Sequence, residues 1–458
     1  MTVDLAIVGA GPAGMAAATL AAELGLGALL IDEQDGPGGQ IYRAIERVDG
    51  NAVGPSPLGA DYWAGQRLAA AFRASGARYR PATTVWHIDP DGTLSVMSDG
   101  ASDTITARHI LLATGAIERP VPIPGWTLPG TMTVGAAQIL LKTADLVPGG
   151  RTVLAGQGPL LYLAAVQLVR AGAPPVAVLQ TTPHENYHAA LRHFAGLWRG
   201  RKALTKGLAW LLALRRAGIA VRHGVRGVRA LGRGSVGRVV WEGGEIAADH
   251  LLLHEGVIPN TQIGLALQLP HRWDAAQLCW RPEVDEWGRA SLPNVSIAGD
   301  GAGIAGAEAA VLSGQLAALD AAAALGRIGE AERDRRARPL RTALAQERAI
   351  RPFLDALYCP APEVLCPADD EVIACRCEEV TVGQLRRAVR LGAPGPNQLK
   401  AFTRCGMGPC QGRICGPIVS AVISAARGVP IAEVGTYRPR APYKPITVGA
   451  LAGWEAPG

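Results

Sequence analysis

The stretch "VDLAIVGAGPAG", residues 3–14, decides the fold. Its first six residues form a short apolar run that ends at Gly9. An alanine-rich helical pattern, "MAAATLAAELG", follows, and then a second apolar run, "ALLID", closing at Asp32. The order is strand, glycine turn, helix, strand. Gly9 permits the tight turn, Gly11 lets a pyrophosphate approach the backbone, and Gly14 lets helix and strand pack closely. The start of the helix then faces the phosphates. Asp32 lies 18 residues beyond Gly14, where a carboxylate can accept hydrogen bonds from the adenosine ribose. Three spaced glycines alone are weak evidence; with both strands, the helix and the acid in order, the signal is specific.

Two later stretches work outward from this cradle. "RHILLATG", 108–115, runs a strand into Thr114 and Gly115, and "NVSIAGDGAG", 294–303, runs another into Gly299 and Asp300. Both resemble the later signatures of the glutathione reductase-like flavoproteins, which carry two dinucleotide-binding domains and hold FAD in the first. The resemblance implies that Asp300 bonds the FAD ribitol and that "ATTVWHI" is the strand meeting the adenine, around Val85. It extends the cofactor cradle to Pro12, Ala13, Glu33, Gly39, Gln40 and Arg43. One departure matters: disulfide reductases of this class carry a redox cysteine pair after the first acid, whereas "GPGGQIYR", 36–43, has no thiol. Electrons on this flavin need another exit.

Residues 151–180 repeat the strand–glycine–helix–strand plan, in the place where that class holds NAD(P)H. The third glycine is missing, the pattern being Gly156, Gly158 and then Leu161. The second strand ends in Gln180 and Thr181, with no acid for a ribose hydroxyl and no basic pair for a 2′-phosphate. The expectation is an inherited fold that has lost NAD(P)H, with a different adenine nucleotide in a structural role left open. Residues 192–238 hold twelve Arg or Lys and no Asp or Glu, which reads as a solvated basic face or a docking surface for an acidic partner subunit or for phosphates.

Composition narrows the classes. With 458 residues, 48% hydrophobic and 18% charged, the chain has the makeup of a globular protein of two or three domains. The net charge of +6 is mostly arginine, with only five lysines, and no nucleic-acid reader motif accompanies it. No run approaches about 18 uninterrupted apolar residues. The first residues enter a buried strand without a basic leader and cleavage site, so the expected location is cytoplasmic, either free or peripheral to the inner face of the membrane.

Cysteine usage is lopsided. The first 278 residues contain none, and five of the eight fall between Cys375 and Cys415: "ACRCEEV" supplies Cys375 and Cys377, and "RCGMGPCQGRIC" supplies Cys405, Cys410 and Cys415. A reducing compartment disfavours disulfides, and Cys-x-Cys with Cys-x4-Cys fits structural zinc poorly. Four thiolates for an iron–sulfur cluster fit better, with Cys375, Cys377, Cys410 and Cys415 as ligands and Cys405 as a competing fifth. "CRCEEVT" and "LKAFTRCGMGPCQGRIC" resemble the [2Fe–2S] domain of the bacterioferritin-associated ferredoxin type. Cys279, Cys359 and Cys366 read as bystanders.

The whole arrangement, including "DEQDGPGGQIYR" and the tail "RPRAPYKPITVGALA", resembles the flavin-containing large subunits of opine oxidases, dye-linked proline and hydroxyproline dehydrogenases, and hydrogen cyanide synthase. The expected fold is α/β: two Rossmann-like domains plus a small helical [2Fe–2S] domain. The expected division is an FAD domain over 1–120 and 285–350, an inserted nucleotide-binding-like domain over 121–284, a connector over 351–370, a cluster domain over 371–435 and a tail over 436–458. The resemblance implies a subunit that collects electrons from C–N bond oxidation and passes them through the cluster to a non-NAD acceptor. It also implies an amino-acid-oxidase-like partner that binds substrate, a small ferredoxin-like subunit, and room for FMN at a subunit interface. No catalytic acid, base or nucleophile stands out; His184, His188 and His193 read as surface or partner-facing. Two alternatives stay open, a self-sufficient NAD(P)H:acceptor reductase and a non-enzymatic redox sensor.

Overall fold

The computed structural model describes residues 1–47, 56–194, 196 and 200–454. The strand Thr2–Val8 leads into the helix Pro12–Glu23 and the strand Ala28–Ile31, the order read from the opening motif. Thr2–Val8 sits at the centre of a seven-stranded sheet, with Ala28–Ile31 parallel on one side and the long strand Ala101–Leu112 parallel on the other. Val295–Ile297 returns from far along the chain to pair with the same long strand, so the first unit is assembled from separated segments. Strands Thr84–Ile88 and Thr93–Ser98 add an antiparallel edge.

Small side chains set the packing here. The helix Pro12–Glu23 lies on the helix Ala307–Ala324 through Ala13, Ala17, Ala18 and Ala21 against Ala310, Ala317, Ala318 and Ala321. A methyl group on Gly14 would sit 1.9 Å from the Gly9 carbonyl oxygen, and one on Gly314 would sit 2.1 Å from that of Ala13. Any larger residue would push the helix away from the sheet. On the outer side, buried Asp320 pairs with Arg289 and Arg333, which anchors the helix Glu330–Arg348 to the same unit.

The second unit has its own five-stranded parallel sheet, ordered Ala220–Arg222, Ala177–Gln180, Thr152–Gln157, His250–Glu255, Thr131–Thr133. A two-stranded antiparallel link, Ala116–Glu118 with Val257–Pro259, joins it to the first. The third unit, from Ile373, is a short hairpin followed by helices Val382–Arg390, Pro396–Thr403 and Gly416–Arg427. Its core includes Val382, Leu385, Leu399, Ile418, Val419 and Val422, and a reciprocal Thr381–Gln384 cap starts its first helix.

The last segment folds back on the first unit. Tyr443 N donates to the Trp86 carbonyl (3.1 Å), the Trp454 ring meets Trp86 edge-on, and Lys444 Nζ lies 2.7 Å from Glu33 Oε2. Among the described residues, no helix is long and apolar enough to cross a membrane.

Candidate cofactor and thiol sites

At the cradle, Asp32 uses Oδ2 to accept from Ala10 N (2.5 Å) and Oδ1 to accept from Gln34 N (2.8 Å). Burial pushes its carboxyl up, and the two amide hydrogen bonds oppose this. The backbone bonds Ala82 N to Gln34 O and Thr83 N to Asp32 O bring the start of the Val85 strand beside the acid. Pro12 opens the helix, and Ala13 packs under Gly299 and Gly314. Gly39, at φ +60°, faces Gly11: a Cβ on Gly39 would stand 2.7 Å from the Gly11 Cα, whereas one on Gly11 would meet only Gly39, at 3.8 Å. The open space over Gly11 suits a bulky phosphate group, so the residues fit a dinucleotide cofactor here.

Thr114 and Gly115 converge with the second signature. A Cβ on Gly301 would lie 3.5 Å from the backbone of Gly115, and Asp300 Oδ1 accepts from Ala305 N (2.9 Å) and Gly306 N (3.0 Å). Near Gln40 stands a residue that the sequence reading passed over. Lys142 is buried and donates to the Gln40 carbonyl (3.0 Å) and Gln138 Oε1 (2.8 Å). Burial, reinforced by the nearby Arg43 charge, pushes its ammonium down to about 7. Arg43 Nε is buried without a hydrogen-bond partner. This end of the cradle therefore gathers two basic side chains, Lys142 and Arg43. A single lysine after an apolar helical run carries no sequence signal of that role.

The second nucleotide fold is closed differently. Leu161 is fully buried in the unit's core. Gln180 is tied to Thr182 Oγ1 (3.0 Å), the Tyr187 hydroxyl (2.9 Å) and His223 Nδ1 (2.5 Å), and Thr181 donates to Glu255 Oε1 (2.6 Å). Both residues that end this strand are thus spent on neighbours. Burial pushes the Glu255 carboxyl up. His184 heads the helix His184–Leu191, which also carries His188. Parts of the basic run 192–238 lie outside the described residues; within it, Arg201–Arg216 is a helix.

The thiols converge from three separate places: the hairpin, the end of the helix Pro396–Thr403, and the loop before Gly416. The Sγ atoms of Cys375, Cys405 and Cys415 lie within 4.8 Å of one another, with Cys405 and Cys415 3.9 Å apart. Cys375, Cys377, Cys410 and Cys415 all line one cavity of about 180 Å³, together with Trp126, Met132 and Leu253 of the second unit; Cys405 is fully buried and does not line it. Gly408 lets the loop pack closely against Cys377, since a Cβ there would be 2.4 Å from that of Cys377. Thiol donors from Cys405 and Cys415 pull Cys375 down to about 2, and Cys415 pulls Cys410 down to about 5. Burial pushes Cys377 up, and the bonds to Cys375 push Cys405 and Cys415 up. The thiolate character that suits a metal ligand is therefore concentrated on Cys375 and Cys410. Trp126 Nε1 donates to the Ile373 carbonyl (2.8 Å), with Arg376 over its ring. Cys279 is buried, and Cys359 and Cys366 are half-buried.

Residues 3–314 match the pyridine nucleotide-disulphide oxidoreductase family, and residues 374–454 match the sarcosine oxidase A3 domain. An opine oxidase subunit of Agrobacterium tumefaciens is 45% identical over 98% of this chain and 91% of its own length. The chain belongs to that family. Hydrogen cyanide synthase subunit HcnB of Pseudomonas aeruginosa is 36% identical over 97% of both chains. The chain also aligns over 98% of its length with the alpha subunit of sarcosine oxidase from Rhizobium meliloti, at 26% identity, but spans 42% of that longer relative. Among solved structures, L-proline dehydrogenase from P. horikoshii shares the fold over 98% of this chain and 79% of its own, with a TM-score of 0.70 at 20% identity. Thioredoxin reductase of T. acidophilum covers 71% of the chain, with a TM-score of 0.51. The oxidoreductase family and the Rossmann-like flavoprotein architecture expected from the sequence are both borne out. The C-terminal match runs to residue 454 and so takes in the segment after 435 that the sequence reading set apart as a tail.

Proposed function

We propose that the chain is the electron-transfer subunit of a heteromeric dehydrogenase acting on C–N bonds of amino or imino acids, of opine, proline or hydroxyproline type. FAD occupies the first cradle and a [2Fe–2S] cluster the thiol site. The observation that carries this reading is the cavity lined by Cys375, Cys377, Cys410 and Cys415, built against the second unit and against Glu118 of the link to the first. Those four are the proposed ligands. The family relative named as a subunit of opine oxidase supports the opine class.

In this reading the chain's own residues hold and orient. Gly9, Gly11, Pro12, Ala13, Gly14 and Gly39 shape the pyrophosphate seat, and Asp32 with Glu33 takes the ribose. Val85 backs the adenine; Thr114, Gly115, Gly299 and Asp300 line the ribitol. Gln40 and Arg43 hold the flavin end. When bound, FAD accepts two electrons and the cluster passes them one at a time. The second unit takes no nicotinamide cofactor, a reading supported by the inward commitment of Gln180 and Thr181. The proposal also includes the domain division given above, a substrate-binding flavin partner, a ferredoxin-like partner and a cytoplasmic site of action.

The test is co-purification: the chain expressed with its genomic neighbours should yield a complex that reduces a dye with an amino or imino acid as donor. The isolated chain should show no such activity. Dye reduction by the isolated chain with NADH would contradict the proposal.

A further inference from the structure

A short bonded path runs between the two proposed redox sites. The strand end carrying Thr114 and Gly115 is bonded to the link between the first two units. Asn260 N donates to the Gly115 carbonyl (2.9 Å), and Thr114 Oγ1 donates to the Asn260 carbonyl (3.2 Å). Two residues further on, Gln262 turns toward the thiol loop. Its Nε2 donates to the Tyr443 carbonyl (2.9 Å) and lies 3.4 Å from the Cys410 carbonyl; its Oε1 accepts from Arg413 Nη1 (3.0 Å). Gln411 of the same loop donates to the Pro442 carbonyl (2.5 Å). Gln262 is only 5% exposed, so its amide has little water to fall back on. Its three side-chain hydrogen bonds go to the loop between two candidate ligands and to the C-terminal segment lying over it.

We propose that Gln262 is a positioning residue: it fixes the Cys410–Arg413 loop against the Gly115 strand end and so sets the rate at which electrons pass between the two centres. The inference rests on the functional reading above. With both groups bound, each transfer would move one electron, taken from reduced flavin and used to reduce one ferric ion to ferrous. A buried amide is suited to this task. It donates to two carbonyls and accepts from a guanidinium without bringing a charge of its own, and buried polar groups that are fully bonded specify one geometry. Leucine has a similar volume and none of these bonds, so the variant frees the loop without emptying the space.

The experiment uses the full chain, first assayed for iron, sulfide and flavin. A short light pulse with a sacrificial amine donor reduces the flavin anaerobically. Its reoxidation and the paramagnetic signal of the reduced cluster are then followed together. Gln262→Leu should retain both groups and slow the transfer by about tenfold or more, since small misplacements carry large rate costs. In the metal-free chain, iodoacetamide should alkylate Cys410 faster in the variant than in the parent. Both groups retained with unchanged transfer and unchanged alkylation would overturn the inference while leaving the functional reading intact. A parent chain lacking iron or flavin would overturn the functional reading itself. If Gln262→Leu loses its cluster, Arg413→Met, which removes only one of the three bonds, takes its place: slowed transfer supports the assignment and unchanged transfer refutes it.

Discussion

Gly39 and Gly11 meet backbone to backbone across the mouth of the nucleotide cradle, so closely that a methyl group on Gly39 would lie 2.7 Å from the Gly11 Cα. Gly39 also has φ +60°, a conformation that side chains resist. Gly39→Ala should cost about 1–3 kcal/mol in stability and lower the flavin recovered per chain. Thermal unfolding and the flavin-to-protein absorbance ratio measure the two effects. A variant with parental stability and flavin content would show that the close approach is not needed.

Serine substitutions separate the thiols. Cys410→Ser should abolish the visible absorbance of the cluster and leave flavin bound. Cys405→Ser should keep the cluster, because Cys405 does not line the cavity that the other four line. The competing geometry is the buried trio of Cys375, Cys405 and Cys415; if that trio sets the ligands, the two variants will exchange their results. Visible spectra and iron content decide between them.

How much of this was legible in the sequence differs between sites. The cradle follows from local rules: glycine spacing, a strand on either side and an acid at the second strand's end place Asp32 where Ala10 and Gln34 now bond it. The thiol block was legible as a block, but its ordering was not. Whether Cys405 or Cys410 faces the cavity depends on how the helix Pro396–Thr403 ends, at Arg404 with φ +60°, and on how the Tyr437 ring packs against Gly406 and Gly412. Long-range partners left no local trace. Nothing around Gln262, Lys142 or Tyr443 announces a residue more than 100 positions away as its contact, since such contacts are set by the meeting of units and not by periodicity.

Trp126 stitches the thiol unit to the second nucleotide fold through its indole N–H and the Ile373 carbonyl. Trp126→Phe keeps most of the ring and removes this bond, leaving the carbonyl unpaired at a cost of about 1–3 kcal/mol. Chemical denaturation should show the C-terminal unit released earlier, and proteolysis should cut the connector faster. Coincident unfolding of all units at the parental midpoint would contradict this.

His109 gives a pH signature. It is buried and bonded to Ser296 (2.9 Å), and burial pushes its imidazole down to about 4 from 6.5. Between those values the unfolded chain binds the proton and the folded chain does not, so this residue makes stability fall as pH drops from 6.5 to 4. Above 6.5 it contributes no pH dependence. Unfolding free energy against pH should be flatter over that window in His109→Leu than in the parent; parallel curves would contradict the assignment.

The central claim is that electrons on the flavin leave through the thiol site and do not arrive from NADH. It is tested most directly by an anaerobic visible spectrum of the purified chain, with iron, sulfide and flavin quantified, before and after NADH is added. The account predicts a [2Fe–2S] cluster and a flavin on each chain, with no bleaching. Zinc in place of iron, or rapid bleaching by NADH, would contradict it.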